Sequence, residues 1–155
     1  MMNIDIGLSE TNRDAAITAL KTVLGETYAL YSKTHGYHWN VTGPNFQALH
    51  DMFMTQYTDL WEALDTIAER IRALGAFAPG SASEILDAAS IRPDNGVPDA
   101  ETMVSNLARG HETLAKAIRD AIASAEQTGD DVTVDLLIQR ATIADKTAWM
   151  LRASL

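Results

Sequence analysis

The chain has 155 residues, a formal net charge of −9 and no cysteine. That length suits a single domain, 1–155, built on one core. Without cysteine there can be no disulfide framework and no thiolate metal site. The acidic balance disfavours a nucleic-acid backbone and favours cations. No apolar run reaches the length of a membrane span. The start, MMNIDIGLSETN, has neither a basic n-region nor an apolar h-region, so a soluble, cytoplasmic protein is expected.

Residues 1–8 form a short lead-in whose only charge is Asp5. A first helix is predicted from Ser9 or Asn12, both good N-caps, through Trp39. Ile17, Leu20, Leu24, Tyr28 and Tyr31 mark its buried face, and Gly36 weakens the helix without having to end it. Asn40-Val41-Thr42-Gly43 is the predicted turn into a second helix. A turn this short makes the two helices antiparallel neighbours and brings His38 near His50.

The second helix is predicted over Pro44–Leu74, with Gly43-Pro44 opening it and Gly75 stopping it. Phe46, Leu49, Phe53, Tyr57, Leu60, Leu64, Ile67, Ala68 and Ile71 recur at the three-and-four spacing of an amphipathic helix. His50, Met54, Asp65 and Glu69 fall at roughly 0°, 40°, 60° and 100° around the axis, and so share one stripe. Asp65 and Glu69 are stacked one turn apart, a repulsion of roughly 0.2–0.5 kcal/mol on an exposed helix. His50 and Asp65 are about 22 Å apart along the axis, whereas metal–ligand bonds are about 2.0–2.2 Å. Either the two ends of the stripe serve separate sites, or a second, antiparallel copy of the helix brings its His50 beside the first chain's Asp65 and Glu69, as a two-fold dimer does.

Residues 75–98 form a long connection with room for a short helix at Ser83–Ala89. A third long helix is predicted from Asp99, as N-cap, to Gln127, with Met103, Leu107, Leu114, Ile118 and Ile122 on its apolar face. Thr128-Gly129-Asp130 breaks it, and a fourth runs over Asp131–Arg152, carried by Val132, Leu136, Leu137, Ile143, Ala144 and Met150. No strand pattern is present. Four helices with one long link between the second and third match the crossover topology of a ferritin-like four-helix bundle, an all-α fold.

The segments YHWNVTGPNFQALHDMF, LDTIAERIRALG and TGDDVTVDLLI, with a Trp near the end of the last helix, resemble the Dps family of miniferritins. The resemblance covers about residues 15–153. It implies a hollow dodecamer with metal sites at two-fold interfaces. Ferrous iron would be oxidised there, usually with hydrogen peroxide, stored as ferric mineral, and the cell protected against oxidative stress. The family's ligand positions correspond here to His38, His50, Asp65 and Glu69, whereas Met54 stands where an acidic ligand is expected. A thioether is a poor ligand for iron, so the half of the site served by His50 is expected to be the weaker one. The resemblance also places Glu126, Asp131 and Asp135 at a three-fold pore for iron entry. Residues 1–12 hold no Lys or Arg, and with the net negative charge DNA binding is not expected.

Simpler roles stand beside these. His38 and His50 can be packed or capping histidines, and Asp65 and Glu69 a solvated face paired with Arg70 or Arg72. Asp130 or Asp131 would cap a helix in any case. His35 and His111 read as surface or packing residues. Trp39 and Trp61 read as core packing, with a secondary role as electron donors or radical sinks. A metal-binding cage that oxidises iron slowly, a nucleoid DNA-binding protein and a further enzymatic activity on the same cage are the rival functions.

Overall fold

In the computed structural model, which describes residues 4–155, every helix but one starts under a side-chain oxygen. The helix α1 (Glu10–Asn40) is capped by Ser9, which accepts from the Asn12 amide at 3.2 Å. The short α3 (Ala82–Leu86) has a full capping box between Ser81 and Glu84. Asp99 caps α4 (Ala100–Thr128) and Asp130 caps α5 (Asp131–Arg152). Each such cap satisfies an amide that the helix itself leaves without a partner. The exception is α2 (Phe46–Ala73), whose N-cap Asn45 makes no side-chain cap bond. Gly43 turns there with φ 118°, and Pro44 and Asn45 stay in the turn, so α2 begins two residues later than the proline suggests.

The topology is the predicted one: two antiparallel helices, a long crossover carrying a short helix, and two more antiparallel helices. α1 packs between α2 and α4, α4 pairs with α5, and α2 meets α5 over a short stretch. Leu20, Leu30, Phe53, Leu60, Leu107, Leu114 and Leu137 are fully buried where the four long helices face one another. Removing such a side chain costs about 2–5 kcal/mol. The crossover presses on α1 at Gly25, where an added Cβ would come within 2.8 Å of the Ile85 carbonyl oxygen. Beside it the buried Glu26 accepts from the Ser90 amide at 2.8 Å, the Ser90 hydroxyl at 2.6 Å and the Ile91 amide at 3.1 Å. The far end of α2 is fastened by Arg70, which donates to Asp130 at 2.7 Å and to Thr133 at 2.9 Å.

Several sequence expectations need correction. The short helix covers Ala82–Leu86 and not Ser83–Ala89, because Ser81 rather than a later residue caps it. Val132 and Met150 are 64% and 41% exposed; α5 packs instead through Leu137, Ala141, Ala144, Ala148 and Leu151, a face built largely of alanines that a search for large apolar residues overlooks. Trp39 and Trp61 are not core residues of the protomer, being 66% and 59% exposed. No helix among the described residues is long and apolar enough to cross a membrane.

Candidate metal centre

The turn between α1 and α2 sets His38, in the last turn of α1, against His50, in the second turn of α2. Their rings stack with centroids 3.8 Å apart and planes 17° from parallel. Each Nδ1 donates to the other residue's backbone carbonyl, both at 2.8 Å. A carbonyl only accepts, so Nδ1 carries the proton in both rings, and in the neutral imidazole Nε2 keeps its lone pair. A hydrogen bond of this kind fixes the tautomer and aim of a metal-binding histidine. The His38 carbonyl also belongs to the last turn of α1, where no helical amide follows to meet it. One pair of bonds thus finishes a helix end and leaves both Nε2 atoms without a hydrogen-bond partner among the described residues.

At the other end of the stripe, Asp65 and Glu69 are exposed. Among the described residues neither carboxylate takes part in a side-chain hydrogen bond or ion pair. The alternative of a solvated face neutralised by neighbouring arginines fails, because both arginines are engaged elsewhere. Arg70 holds Asp130 and Thr133, and Arg72 donates to the Ala76 carbonyl at 2.9 Å and lies 4.5 Å over the Phe77 ring. Asp65 borders a recess it shares with Tyr28, Trp61 and Pro79. Met54 is 45% exposed on the same helix. Within one protomer no three His, Asp or Glu side chains among the described residues gather so that they could hold a metal ion. The histidine pair and the carboxylate pair stay apart, as the rise of about 1.5 Å per residue along α2 requires.

A family model described as the ferritin-like domain matches residues 17–155. The DNA protection during starvation protein 2 of Bacillus anthracis is 34% identical, the match covering 90% of this chain and 95% of that one. The crystal structure of a Dps protein from Vibrio cholerae, described as a member of a broad superfamily of ferritin-like diiron-carboxylate proteins, superposes with a TM-score of 0.93 at 35% identity, over 99% of this chain and 96% of that one. The chain belongs to the Dps group of the ferritin-like family. An uncharacterized low temperature-induced protein of Nostoc is 39% identical across 99% of this chain and 87% of its own length.

In this Dps-type chain the three residues predicted for a pore lie around one corner. Glu126 is near the end of α4, Asp131 is the first residue of α5, and Asp135 is one turn further; all three are exposed. Asp135 accepts from the Gln139 amide at 2.8 Å. Capping falls to the buried Asp130, which leaves the Asp131 carboxylate free of that duty.

Sequence reasoning missed an aromatic array that leads away from the histidine pair. The Tyr57 ring meets the edge of His38 at 5.1 Å and stacks on His35 at 3.9 Å. His35 in turn meets Trp39 at 4.3 Å, and Tyr31 lies 5.6 Å from Trp61. The three-and-four spacing of Tyr28, Tyr31, His35 and Trp39 on α1 was the available signal. Burial raises the Tyr31 phenol above its ordinary value, and burial lowers His35, with His38 adding to the effect. His111 proves to be a core residue, 2% exposed with neither ring nitrogen partnered among the described residues, and burial holds its pKa down to about 4.

Proposed function

We propose that two copies of this chain pack about a two-fold axis so that His38 of one faces Asp65 and Glu69 of the other, with His50 alongside, and that the shared site binds ferrous iron and oxidises it with hydrogen peroxide. A two-fold arrangement yields two equivalent sites, and a dodecameric cage would hold the ferric product. The observation that carries this reading is a matched pair of unused donor sets. The two histidines lock Nδ1 and leave Nε2 unused, and the two carboxylates have lost both nearby arginines to other partners. Trp39, Phe46, Met54 and Trp61, all at least 41% exposed on the same two helices, give a second copy apolar surface to cover.

Iron is the substrate here. Two ferrous ions each give up one electron, and the peroxide O–O bond takes both and breaks to two hydroxides. Asp65 and Glu69 supply hard, anionic oxygens that favour the ferric state over the ferrous. Glu126, Asp131 and Asp135 supply carboxylates for an entry path. Consuming peroxide in this way protects the cell as well as storing iron. The test is to add ferrous iron anaerobically, then peroxide, and follow ferric absorbance. The wild type oxidises iron well above the buffer rate, and His38→Ala and Asp65→Ala do not.

One observation favours a slower cage. Met54 offers sulfur where iron prefers oxygen, which weakens the position beside His50. On this reading the wild type is slow and Met54→Asp speeds it. DNA retention is not part of the proposal, since the chain carries a net charge of −9. A gel shift that persists at moderate salt would overturn that statement.

A further inference from the structure

The second half of α1 and the crossover enclose a cavity of about 230 Å³, lined by none of the residues named for iron. Its walls are apolar, with Ala29, Leu86, Ile91, Pro93 and Met103 among them. Gly36 lines it too, and a Cβ built there would meet nothing within 4 Å. Glycine inside a helix is less stable than alanine. The helix thus forgoes stability at a point where even the smallest side chain would intrude on the space. A cavity of about 150 Å³ holds benzene, so the same ratio gives room here for about nine heavy atoms.

One edge of the cavity is polar and only half spent. Lys33 has 11% of its side chain exposed and, among the described residues, a single polar partner, the Asp94 carboxylate at 3.4 Å. An ammonium carries three N–H donors, so two are left over. Asp94 accepts from Lys33 on Oδ1 and from the Tyr37 hydroxyl on Oδ2, and that hydroxyl accepts from the Asn106 amide at 3.0 Å. A carboxylate has about four acceptor positions, so Asp94 too keeps lone pairs free. The charges of Lys33 and Asp94 cancel. A charged guest would leave an unmatched charge beside a largely buried pair, whereas a hydroxyl accepts from one partner and donates to the other. A rigid ring loses less freedom on entry than an alkyl chain of the same size. We propose that this cavity binds a neutral monocyclic phenol, its ring among Leu86, Ile91 and Met103 and its hydroxyl bridging Lys33 and Asp94. The site shares no residue with the iron centre proposed above, so the two stand or fall separately.

The test titrates para-cresol into the purified protein, read by calorimetry and by saturation transfer from protein to ligand protons. Wild type takes up para-cresol at a single class of site with a Kd below about 1 mM. para-Fluorotoluene, which has the same shape and no hydroxyl, binds about 10-fold more weakly, the worth of a hydrogen bond to a charged group. Benzoate and benzylammonium, each adding a charge, also bind more weakly than para-cresol. Gly36→Leu fills the cavity and abolishes para-cresol binding, while its unfolding midpoint stays level or rises. Gly36→Met, with a more adaptable side chain, replaces it if the leucine variant unfolds early. Lys33→Met keeps the stem and removes the donors. It weakens para-cresol by about 10-fold and leaves para-fluorotoluene unchanged. Equal binding of para-cresol and para-fluorotoluene would mark a plain apolar gap, and tighter binding of benzoate or benzylammonium an ion site; each overturns the proposal. So does para-cresol binding that survives in the Gly36 and Lys33 variants, or no binding at millimolar para-cresol.

Discussion

The two ends of α2 bury polar groups to opposite effect. At its start, His38 and His50 each commit one nitrogen to the other's backbone and leave the second nitrogen unused. At its end, Arg70, Asp130 and Thr133 close on themselves. The guanidinium serves both partners, one Asp130 oxygen takes Arg70 and the Thr133 amide, and the other takes the Thr133 hydroxyl. Both arrangements join an interhelical corner. The saturated one can only hold structure together, whereas the unsaturated one keeps capacity for a further atom. The two corners differ in what their polar groups leave undone.

The sharpest way to break the comparison is to open the closed end. Asp130→Ala leaves the Arg70 guanidinium buried without its partner and removes the α5 cap, and it is expected to cost about 3–5 kcal/mol, read as a lowered unfolding midpoint. A second perturbation tests a group that belongs to neither end. His111 has its pKa lowered in the fold to about 4, chiefly by burial, against an unfolded value of 6.5. Asp59 pulls it up and Arg140 pushes it down. The unfolded chain therefore binds this proton more readily, so stability falls as the pH drops through 6.5 toward 4. The loss approaches roughly 3 kcal/mol at the acid limit. His111→Leu should flatten that part of the stability–pH curve.

The open end should respond in activity more than in stability. His50→Phe keeps a stacked ring and loses the Nε2 donor. It is expected to slow peroxide-driven iron oxidation by about 10- to 100-fold, the range set even by groups behind a metal ligand, and to cost only about 1 kcal/mol for the lost hydrogen bond. If stability fell as far as in Asp130→Ala, the contrast between the two ends would be wrong. The smallest effect lies on the solvent face. The Arg119–Asp145 pair is half exposed on both sides, and Asp145→Asn should leave the unfolding midpoint where it was.

What could be read from the sequence follows how locally each feature is determined. Helix identity rests on periodicity and caps within a few residues, so α1, α4 and α5 fall within a residue or so of their predicted ends. The start of α2 depends on how Gly43, Pro44 and Asn45 share one turn, and there the reading was two residues early. Spacing placed His38 near His50, but it could not show that each would bond the other's carbonyl, because that depends on the angle between two helices. The choice of Asp130 over Asp131 as cap is made by Arg70, sixty residues away along the chain. Glu26 could have been noticed, as an acid set among the apolar residues Val23, Leu24 and Leu30 of α1.

The three tryptophans have a practical consequence. Trp39, Trp61 and Trp149 are each at least 58% exposed, on three different helices. An isolated protomer should therefore fluoresce at the long wavelengths of indole in water. Any neighbour that covers one of them shifts the emission to the blue, so the chain reports its own association optically without an attached dye, and replacing the tryptophans one at a time would tell which face had been covered.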